Sequence, residues 1–220
     1  FVYSDIGAYL AGKILERVSG ERLDRYLAAH VFGQLGMHDT MYNPPDSLRP
    51  RIAPTEVDPR RGGKLRGKVH DERAYYLGGI SAHAGLFSSG YDLARFAEMY
   101  LNGGALGPVR VVRRQTIIAF TTVQDRALSN RALGWEKPNG TNSAGHLMSP
   151  AAFGHTGFTG TSIWIDPAQD LFIVLLTNRV DPTRANSKIG PVRIEVPDAV
   201  ETVCDRGERA AVVQSICGSH

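Results

Sequence analysis

The sequence predicts an α+β fold, in which a helical region is followed by an antiparallel β-sheet. Apolar residues recur every three or four positions through much of the first 120 residues, which is the spacing of amphipathic helices. The last third instead contains two runs of apolar, often branched residues around a tight turn, a pattern typical of a β-hairpin. Helices and antiparallel strands that are segregated along the chain indicate the α+β class.

Four segments have helical spacing, and glycine marks where two of them end. The first stops at Ser19-Gly20 and the third at Asn102–Gly104, because glycine readily follows the last turn of a helix. The fourth is compatible with a helix throughout or with a short strand that leads into one. The four segments are residues 6–18, 21–33, 93–101 and 109–120.

Residues 43–68 form a long segment that is rich in proline, arginine and glycine and has little periodicity. Loops of this length in compact domains are often walls of binding sites. No internal repeat is visible, so we expect one domain with a helical part in residues 1–150 and a sheet part in residues 151–200. Residues 201–220 are expected to be a C-terminal tail.

Three strands are predicted in the sheet part. Residues 161–166 and 171–177 flank the turn 167–170, and the second of these strands is apolar enough to be fully buried. Residues 153–156 are predicted to form a third strand beside the hairpin. Without flanking strands this sheet would have an open apolar edge, so we expect the isolated chain to be poorly soluble.

The two cysteines, Cys204 and Cys217, both lie in the tail. Free thiols are favoured over a disulfide because the surrounding sequence is weakly patterned, and the spacing does not match a zinc site. A helix can begin within residues 198–203, but Cys204–Gly207 is expected to interrupt it.

Composition argues against several classes of function. The net charge is only +3 and the basic residues are scattered, apart from a glycine-spaced cluster in residues 60–68, so no nucleic-acid binding is expected. No run of 18 apolar residues occurs, so no transmembrane segment is expected in this chain. The histidines lack zinc-site spacing, so neither a metal nor another cofactor is expected. The oligomeric state is left open.

Two short motifs suggest a chemistry. Tyr3-Ser-Asp5 leads into the first helix, and Gly154-His155-Thr156-Gly157 lies in the predicted sheet. Acyl transfer by a serine requires a nucleophile, a base beside it, a proton donor for the leaving group and an oxyanion hole. A Ser-x-x-Lys motif, which would carry the nucleophile, does not occur in these 220 residues. Ser81 lies in a near-match to the Gly-x-Ser-x-Gly elbow, but the last glycine is missing and no buried strand precedes it.

In this order the motifs resemble those of the serine β-lactamase and penicillin-binding-protein superfamily, and the chain is similar to class C β-lactamase-related serine hydrolases over roughly residues 1–200. The resemblance implies a β-lactamase/transpeptidase-like fold, here incomplete, and a hydrolase that acylates a serine with an ester, amide or β-lactam carbonyl. It also implies an exported protein, periplasmic or secreted. The segments that carry it, besides the two motifs, are Gln34–Thr40, Val69–Glu72, Leu77–Ser88, Asp92–Phe96, Leu101–Gly104 and His155–Pro167.

The resemblance implies roles for seven residues. Tyr3 is expected to shuttle a proton between the serine hydroxyl and the leaving group, which requires cationic neighbours. His155, in place of the usual lysine, is expected to be the electrostatic partner in the cleft wall. One oxyanion donor is expected at the backbone N–H of Gly157 or Phe158. Contacts with a small-molecule or peptide acyl substrate are expected from Asp5, His83, Thr156, Gly157 and Phe158.

Two of these residues depart from the common pattern of the superfamily. Asp5 places a carboxylate where an amide is usual, and His155 replaces a permanent charge by one that depends on pH. Both favour an esterase or peptidase over an efficient β-lactamase. Both also leave open a non-catalytic, penicillin-binding-protein-like homologue that only binds a ligand. The 220 residues by themselves, without the serine, are expected to be inert.

Three charged residues near these motifs are given structural interpretations. Asp71 is expected to brace a loop near the site. Arg179 and Arg184 follow the last predicted strand, and we interpret them as capping the sheet and its turn rather than as binding a substrate carboxylate.

Overall fold

The structure, a computed structural model, describes residues 2–205 and the short strand 214–215. Helices come mainly first and the principal antiparallel sheet last, which confirms the α+β class. The helices are α1 (Asp5–Ser19), α2 (Leu23–Leu27), α3 (Gly33–Leu35), α4 (Glu72–Tyr76), α5 (Gly90–Leu101), α6 (Arg114–Thr121) and α7 (Ile189–Asp205). The strands are β1 (Met41–Tyr42), β2 (Val57–Asp58), β3 (Gly63–Lys64), β4 (Leu86–Phe87), β5 (Ala105–Leu106), β6 (Val109–Arg110), β7 (Phe153–Thr156), β8 (Ser162–Asp166), β9 (Leu171–Leu176) and β10 (Gln214–Ser215).

Helix α1 forms where the sequence predicts it. The Ser4 hydroxyl accepts a hydrogen bond from Ile6 N at 3.2 Å and caps the first turn, while Gly20 ends the helix with a left-handed φ of 74°. The helix packs through a close approach at Gly12, where a Cβ would lie 2.8 Å from the Cβ of Ala82. The apolar stripe on which the prediction rests consists of Ile6, Leu10, Ile14, Leu15 and Val18. All of these except the half-buried Leu15 are more than half exposed.

The second predicted helix is a run of short helical elements. Helix α2 is followed by a π-helical turn, Ala28–Phe32, and then by α3. Phe32 and Leu35 enter a core with Met99 of α5 and Ile117 of α6. This cluster joins the N-terminal helices to α5, which in turn covers the sheet.

Helices α5 and α6 also follow the prediction, whereas α4 was not foreseen. Helix α5 is capped by the Ser89 hydroxyl, which accepts a hydrogen bond from Asp92 N at 3.2 Å. Residues 109–120 follow the second alternative, since strand β6 precedes α6. Helix α4 has five residues, too few for a periodic signal, and is capped by Asp71, whose carboxylate accepts a hydrogen bond from Ala74 N at 2.7 Å.

The principal sheet has the strand order β10-β9-β8-β7. Strands β7, β8 and β9 are antiparallel neighbours as predicted, and β10 pairs in parallel with β9. On one face, Ala97 of α5 meets Phe153 and Ile165. On the other face, Val196 of α7 packs into the cluster around Trp164. The sheet is therefore held between α5 and α7.

The prediction that the second hairpin strand is fully buried is wrong at the ends of β9. Only Ile173–Leu175 are buried, whereas Leu171, Phe172 and Leu176 are half-buried. Leu176 is the last residue of the strand and lines a cavity beside the sheet. The central residues lie where α5 and α7 cover the strand from both sides.

Helix α7 begins earlier than predicted, and Cys204 does not interrupt it. It runs through the buried Pro197 because Val196 and Val200 pack on the sheet, and this packing offsets the hydrogen bond that proline cannot donate. Cys204 is half-buried and forms no disulfide with a described residue, while Gly207 and Cys217 lie outside the described residues. Although α7 is the longest described helix, neither it nor any other helix of the described chain is long and apolar enough to cross a membrane.

Charged side chains tie the long segment 43–68 to the turn that follows β9. Arg184 Nε lies 2.8 Å from Glu56 Oε2, and Arg184 Nη2 lies 2.6 Å from Glu72 Oε1. His70 Nε2 lies 2.9 Å from the same Glu56 carboxylate, which is 9% exposed. The hydrogen bonds from Arg184 lower the pKa of Glu56 to about 2 and outweigh the opposing effect of burial. Arg184 thus joins three segments of the protein itself.

This ion pair gives stability a defined pH dependence. Because the pKa of Glu56 is lowered in the folded state, its contribution is complete above about pH 5 and is lost as the pH falls towards about 2. We expect Glu56→Gln to lower the free energy of unfolding at pH 7 by about 1–3 kcal/mol. Urea denaturation at a series of pH values should show this difference shrinking below pH 5. Glu98→Gln on the exposed face of α5 is the control, and a difference that is independent of pH would contradict the assignment.

Substitutions on the two faces of α1 are expected to affect stability differently. The pair Leu10→Lys and Ile14→Lys should change the free energy of unfolding by no more than about 0.5 kcal/mol and should reduce self-association, since both side chains are mostly exposed. Gly12→Val should cost about 1–3 kcal/mol because its side chain would collide with Ala82. Thermal melting and light scattering measure both effects. A large loss of stability in the lysine variant would show that the stripe is covered in solution.

Candidate active site

A cavity of about 1910 Å³ opens between the start of α1, the long segment 43–68 and the end of β7. Large clefts of this kind are the usual location of binding sites. The structure brings all seven predicted site residues to its lining: Tyr3, Asp5, His83, His155, Thr156, Gly157 and Phe158.

Tyr3 and His155 lie side by side in this cleft although they are far apart in the sequence. Their ring centroids are 6.0 Å apart and the planes are inclined by 36°. Tyr3 is placed by the residue that follows it, because Ser4 caps α1. His155 is placed by the register of β7, in which it pairs with Ile163 of β8. The two motif residues therefore reach the same point from different elements.

Arg131 is a third member of this group, and the sequence analysis did not find it. Its guanidinium carbon lies 4.9 Å from the centroid of the Tyr3 ring, in cation–π geometry, and its Nη2 lies 3.2 Å from Glu136 Oε2. The side chain is 22% exposed and lines the cavity. Arg131 belongs to the irregular stretch before β7, where no motif or period marks a functional residue.

Asp5 lies in the first turn of α1 and is half-buried at the edge of the cleft. The backbone N–H groups at a helix N-terminus favour a negative charge. A carboxylate at this position is therefore stabilised by its own helix, as well as being within reach of a ligand in the cavity.

Hydrogen bonds hold the turn between β7 and β8, and one of them engages a candidate position for the expected oxyanion donor. Gly157 N donates to Thr161 O at 2.8 Å, so this N–H is already engaged within the protein. Arg193 of α7 holds the turn from outside, since its Nη2 lies 2.6 Å from both Gly157 O and Thr161 O. A side chain at Gly157 would collide with the Thr161 hydroxyl. Of the two candidates, the N–H of Phe158 is the one that donates to no backbone acceptor in the described part of the chain.

Phe158 projects from the same turn and is 58% exposed. His70 stacks on it with ring centroids 5.6 Å apart, and the guanidinium carbon of Arg179 lies 4.5 Å from its centroid. Arg179 also donates from Nε to the carbonyl of Phe158 at 2.7 Å. Arg179 therefore supports the cleft wall, which agrees with its structural interpretation.

His83 lines the cavity with both ring nitrogens engaged. Ser81 Oγ lies 2.7 Å from Nδ1, and Asp71 Oδ1 lies 3.1 Å from Nε2. Burial alone would raise the pKa of Asp71, but hydrogen bonds from Ala74 N and His83 together hold it below its usual value. Asp71 thus braces the loop, in line with the expectation, and His83 is only 5% exposed at its side chain.

Among the described residues, no three His, Cys, Asp or Glu side chains are grouped so as to hold a metal ion.

Comparison with known proteins agrees with this geometry. The family model described as Beta-lactamase matches residues 1–196. A Salmonella typhi protein named as a candidate D-alanyl-D-alanine carboxypeptidase is 38% identical over 210 residues, which cover 86% of this chain and 48% of that protein. The chain thus spans about half the length of the curated relatives it matches.

Solved structures show the same fold. A β-lactamase from Mycobacterium bovis matches with a TM-score of 0.62 and 25% identity, covering 92% of this chain and 64% of that one. A penicillin-binding protein homologue from Caulobacter crescentus matches with a TM-score of 0.64 and 20% identity, covering 89% and 56%. These matches confirm the resemblance to the serine β-lactamase and penicillin-binding-protein superfamily. With nearly its whole length matched by that family model, the chain belongs to the beta-lactamase family.

Proposed function

We propose that this chain is part of a serine hydrolase that acylates a serine with an ester, amide or β-lactam carbonyl and then releases the acyl group to water. The observation that carries the proposal is the position of Tyr3 beside His155 in a large cleft, with the cation of Arg131 above the phenol ring. The nucleophile is assigned to a Ser-x-x-Lys motif outside these 220 residues, because none occurs within them.

In the proposed reaction, Tyr3 as the phenolate takes the proton of the serine hydroxyl while the serine oxygen attacks the carbonyl carbon. The negative charge that develops on the carbonyl oxygen is stabilised by the N–H of Phe158. Tyr3 then gives its proton to the leaving group as the bond to carbon breaks. Deacylation repeats these steps with water as the nucleophile, and returns the serine and the phenolate to their starting states.

The remaining predicted residues form the walls around this reaction. His155 is assigned to a charge or hydrogen-bond contact with the substrate or with Tyr3, and Thr156 and Gly157 to the strand edge along which the acyl chain lies. Asp5 and His83 bound the cleft on the helical side. A carboxylate at Asp5 and an imidazole at His155 favour an ester or a peptide over a β-lactam, and the relative named as a candidate D-alanyl-D-alanine carboxypeptidase supports a peptide.

A second candidate function is binding without catalysis. The same two departures from the common motifs, Asp5 and His155, favour it over an efficient acyl transferase. It predicts that a peptide or cell-wall ligand stabilises the protein and leaves no covalent adduct. Mass spectrometry after incubation of the full reading frame with a p-nitrophenyl ester separates the two functions, because only the hydrolase forms an acyl-serine.

Tyr3→Phe, in the full reading frame that contains this chain, should lower the rate of acylation by about 10²–10⁴-fold, as removal of an acid–base group does. The measurement is the burst and steady-state hydrolysis of p-nitrophenyl esters. Tyr76→Phe is the matched control, since Tyr76 is 84% exposed and does not line the cavity. Full esterase activity in the Tyr3 variant would remove the proton shuttle from the mechanism.

The 220-residue chain by itself should not react with acylating probes. Intact-mass analysis after treatment with a fluorophosphonate or a fluorescent penicillin should show no adduct. Ser81 is the informative residue, because it contacts His83 but is 4% exposed and lacks the backbone setting of a nucleophile. An adduct that Ser81→Ala abolishes would show a nucleophile within the chain and would contradict the assignment.

A further inference from the structure

We propose that Arg131 is a positioning residue that fixes the Tyr3 ring beside His155. This inference rests on the proposed function of Tyr3 as proton shuttle and adds the residue that orients it. Tyr3 is 57% exposed, so burial does not hold its side chain in place. Its ring contacts are with His155 at 6.0 Å and with the guanidinium of Arg131 at 4.9 Å.

Arg131 is itself anchored through Glu136. Glu136 Oε2 accepts the hydrogen bond from Arg131, while Glu136 Oε1 accepts one from Asn142 Nδ2 at 3.1 Å. Both partners of the ion pair are mostly buried, with 22% and 18% of their side chains exposed. A charged pair with this degree of burial restricts the guanidinium far more than a pair in open solvent does.

Glu136 is in turn fixed to the strand that carries His155. Its backbone N donates to Gly154 O at 2.8 Å, and Gly154 N donates to Glu136 O at 2.9 Å. Gly154 directly precedes His155 on β7. The contacts therefore form a continuous chain that starts at Gly154 on β7 and runs through Glu136 and Arg131 to Tyr3. Tyr3 in turn lies beside His155 on the same strand. Both rings are thus positioned relative to β7.

The charge of Arg131 suits this role. A guanidinium over the ring face is attracted by a neutral phenol and attracts a phenolate more strongly, so the contact persists through a proton transfer. The other charged or titratable groups at this place are His155, which meets the ring from β7, Glu136, which neutralises the far side of Arg131, and Asp5, two residues along the chain. Among these groups, Arg131 is the one with a permanent positive charge. The His155-Thr156-Gly157 motif does not supply such a charge, because a histidine stands where a lysine is usual.

The test follows Tyr3 directly in the full reading frame that contains this chain, because the isolated 220 residues are expected to be poorly soluble. The protein is labelled with 3-fluorotyrosine, and the variants Tyr3→Phe and His155→Asn assign the fluorine signal of Tyr3 and the ring protons of His155. The wild type is expected to show a fluorine–proton NOE between the two rings. Arg131→Met should lose it, while Arg131→Lys, which keeps a cation over the ring, should keep it in weaker form. Arg126→Met is the matched control, because Arg126 is exposed in the same stretch of chain.

An NOE that survives in Arg131→Met, or one that is lost equally in Arg126→Met, would overturn the proposal. Unchanged melting and unchanged signals from the half-buried Tyr100 show that the fold is intact, and the lysine variant serves if the methionine variant does not fold. The experiment needs no catalysis, so a failure of the proposed hydrolase activity would not affect it.

Kinetics in the full reading frame supply the second readout. Arg131→Met should lower kcat on the order of 10²-fold for charged and uncharged acyl donors alike, with little change in KM. A rise in KM confined to donors that carry a carboxylate would show that Arg131 binds substrate and does not position Tyr3.

Discussion

The burial of both faces of β8 is the constraint on which the rest of the structure depends. Trp164 and Ile165 are adjacent and almost completely buried, and because successive residues of a strand point to opposite faces, they need cover on both sides. Helix α7 covers Trp164 and α5 covers Ile165. Once β8 is held in this way, its pairing with β7 fixes the position of His155 along the edge of the cleft. The backbone of Glu136 pairs with Gly154 on the other side of β7.

Around this sheet, buried carboxylates give order to segments that have no regular structure. Asp166 is fully buried and accepts hydrogen bonds from Ser149 N and Oγ and from Ala168 N. Asp92, 3% exposed, accepts hydrogen bonds from Asp39 N and the Thr40 hydroxyl. One carboxylate can accept hydrogen bonds from several donors at once. A few carboxylates can therefore order loop segments that lack the regular backbone hydrogen bonds of helices and strands. Through Asp92 this ordering includes Asp39, which lines the cleft.

Local patterns in the sequence predicted local structure well and long-range packing poorly. The helical period of α1 and the Ser19-Gly20 stop were sufficient to place the helix. They did not show that the helix packs at Gly12 and exposes much of its apolar stripe. A close approach of small residues such as Gly12 and Ala82 leaves no hydrophobic pattern in the sequence. The start of α7 was missed because Pro197 argues against a helix that only tertiary packing stabilises. For the candidate site, Tyr3 and His155 lie in motifs that the resemblance identifies. Arg131 and Arg193 act through contacts between distant segments, and no local pattern encodes these.

The hydrogen bonds from Arg193 to the β7–β8 turn bear on the orientation of the peptide plane between Gly157 and Phe158. The Gly157 carbonyl and the Phe158 N–H belong to one trans peptide unit, in which the two bond vectors point in opposite directions. The Gly157 carbonyl accepts hydrogen bonds from Gly160 N within the turn, at 3.1 Å, and from Arg193 of α7, so the Phe158 N–H points away from both donors. A helix outside the lining of the cleft thus helps to fix the orientation of a peptide plane at its edge, and rotation of that single plane would reverse the direction of its dipole.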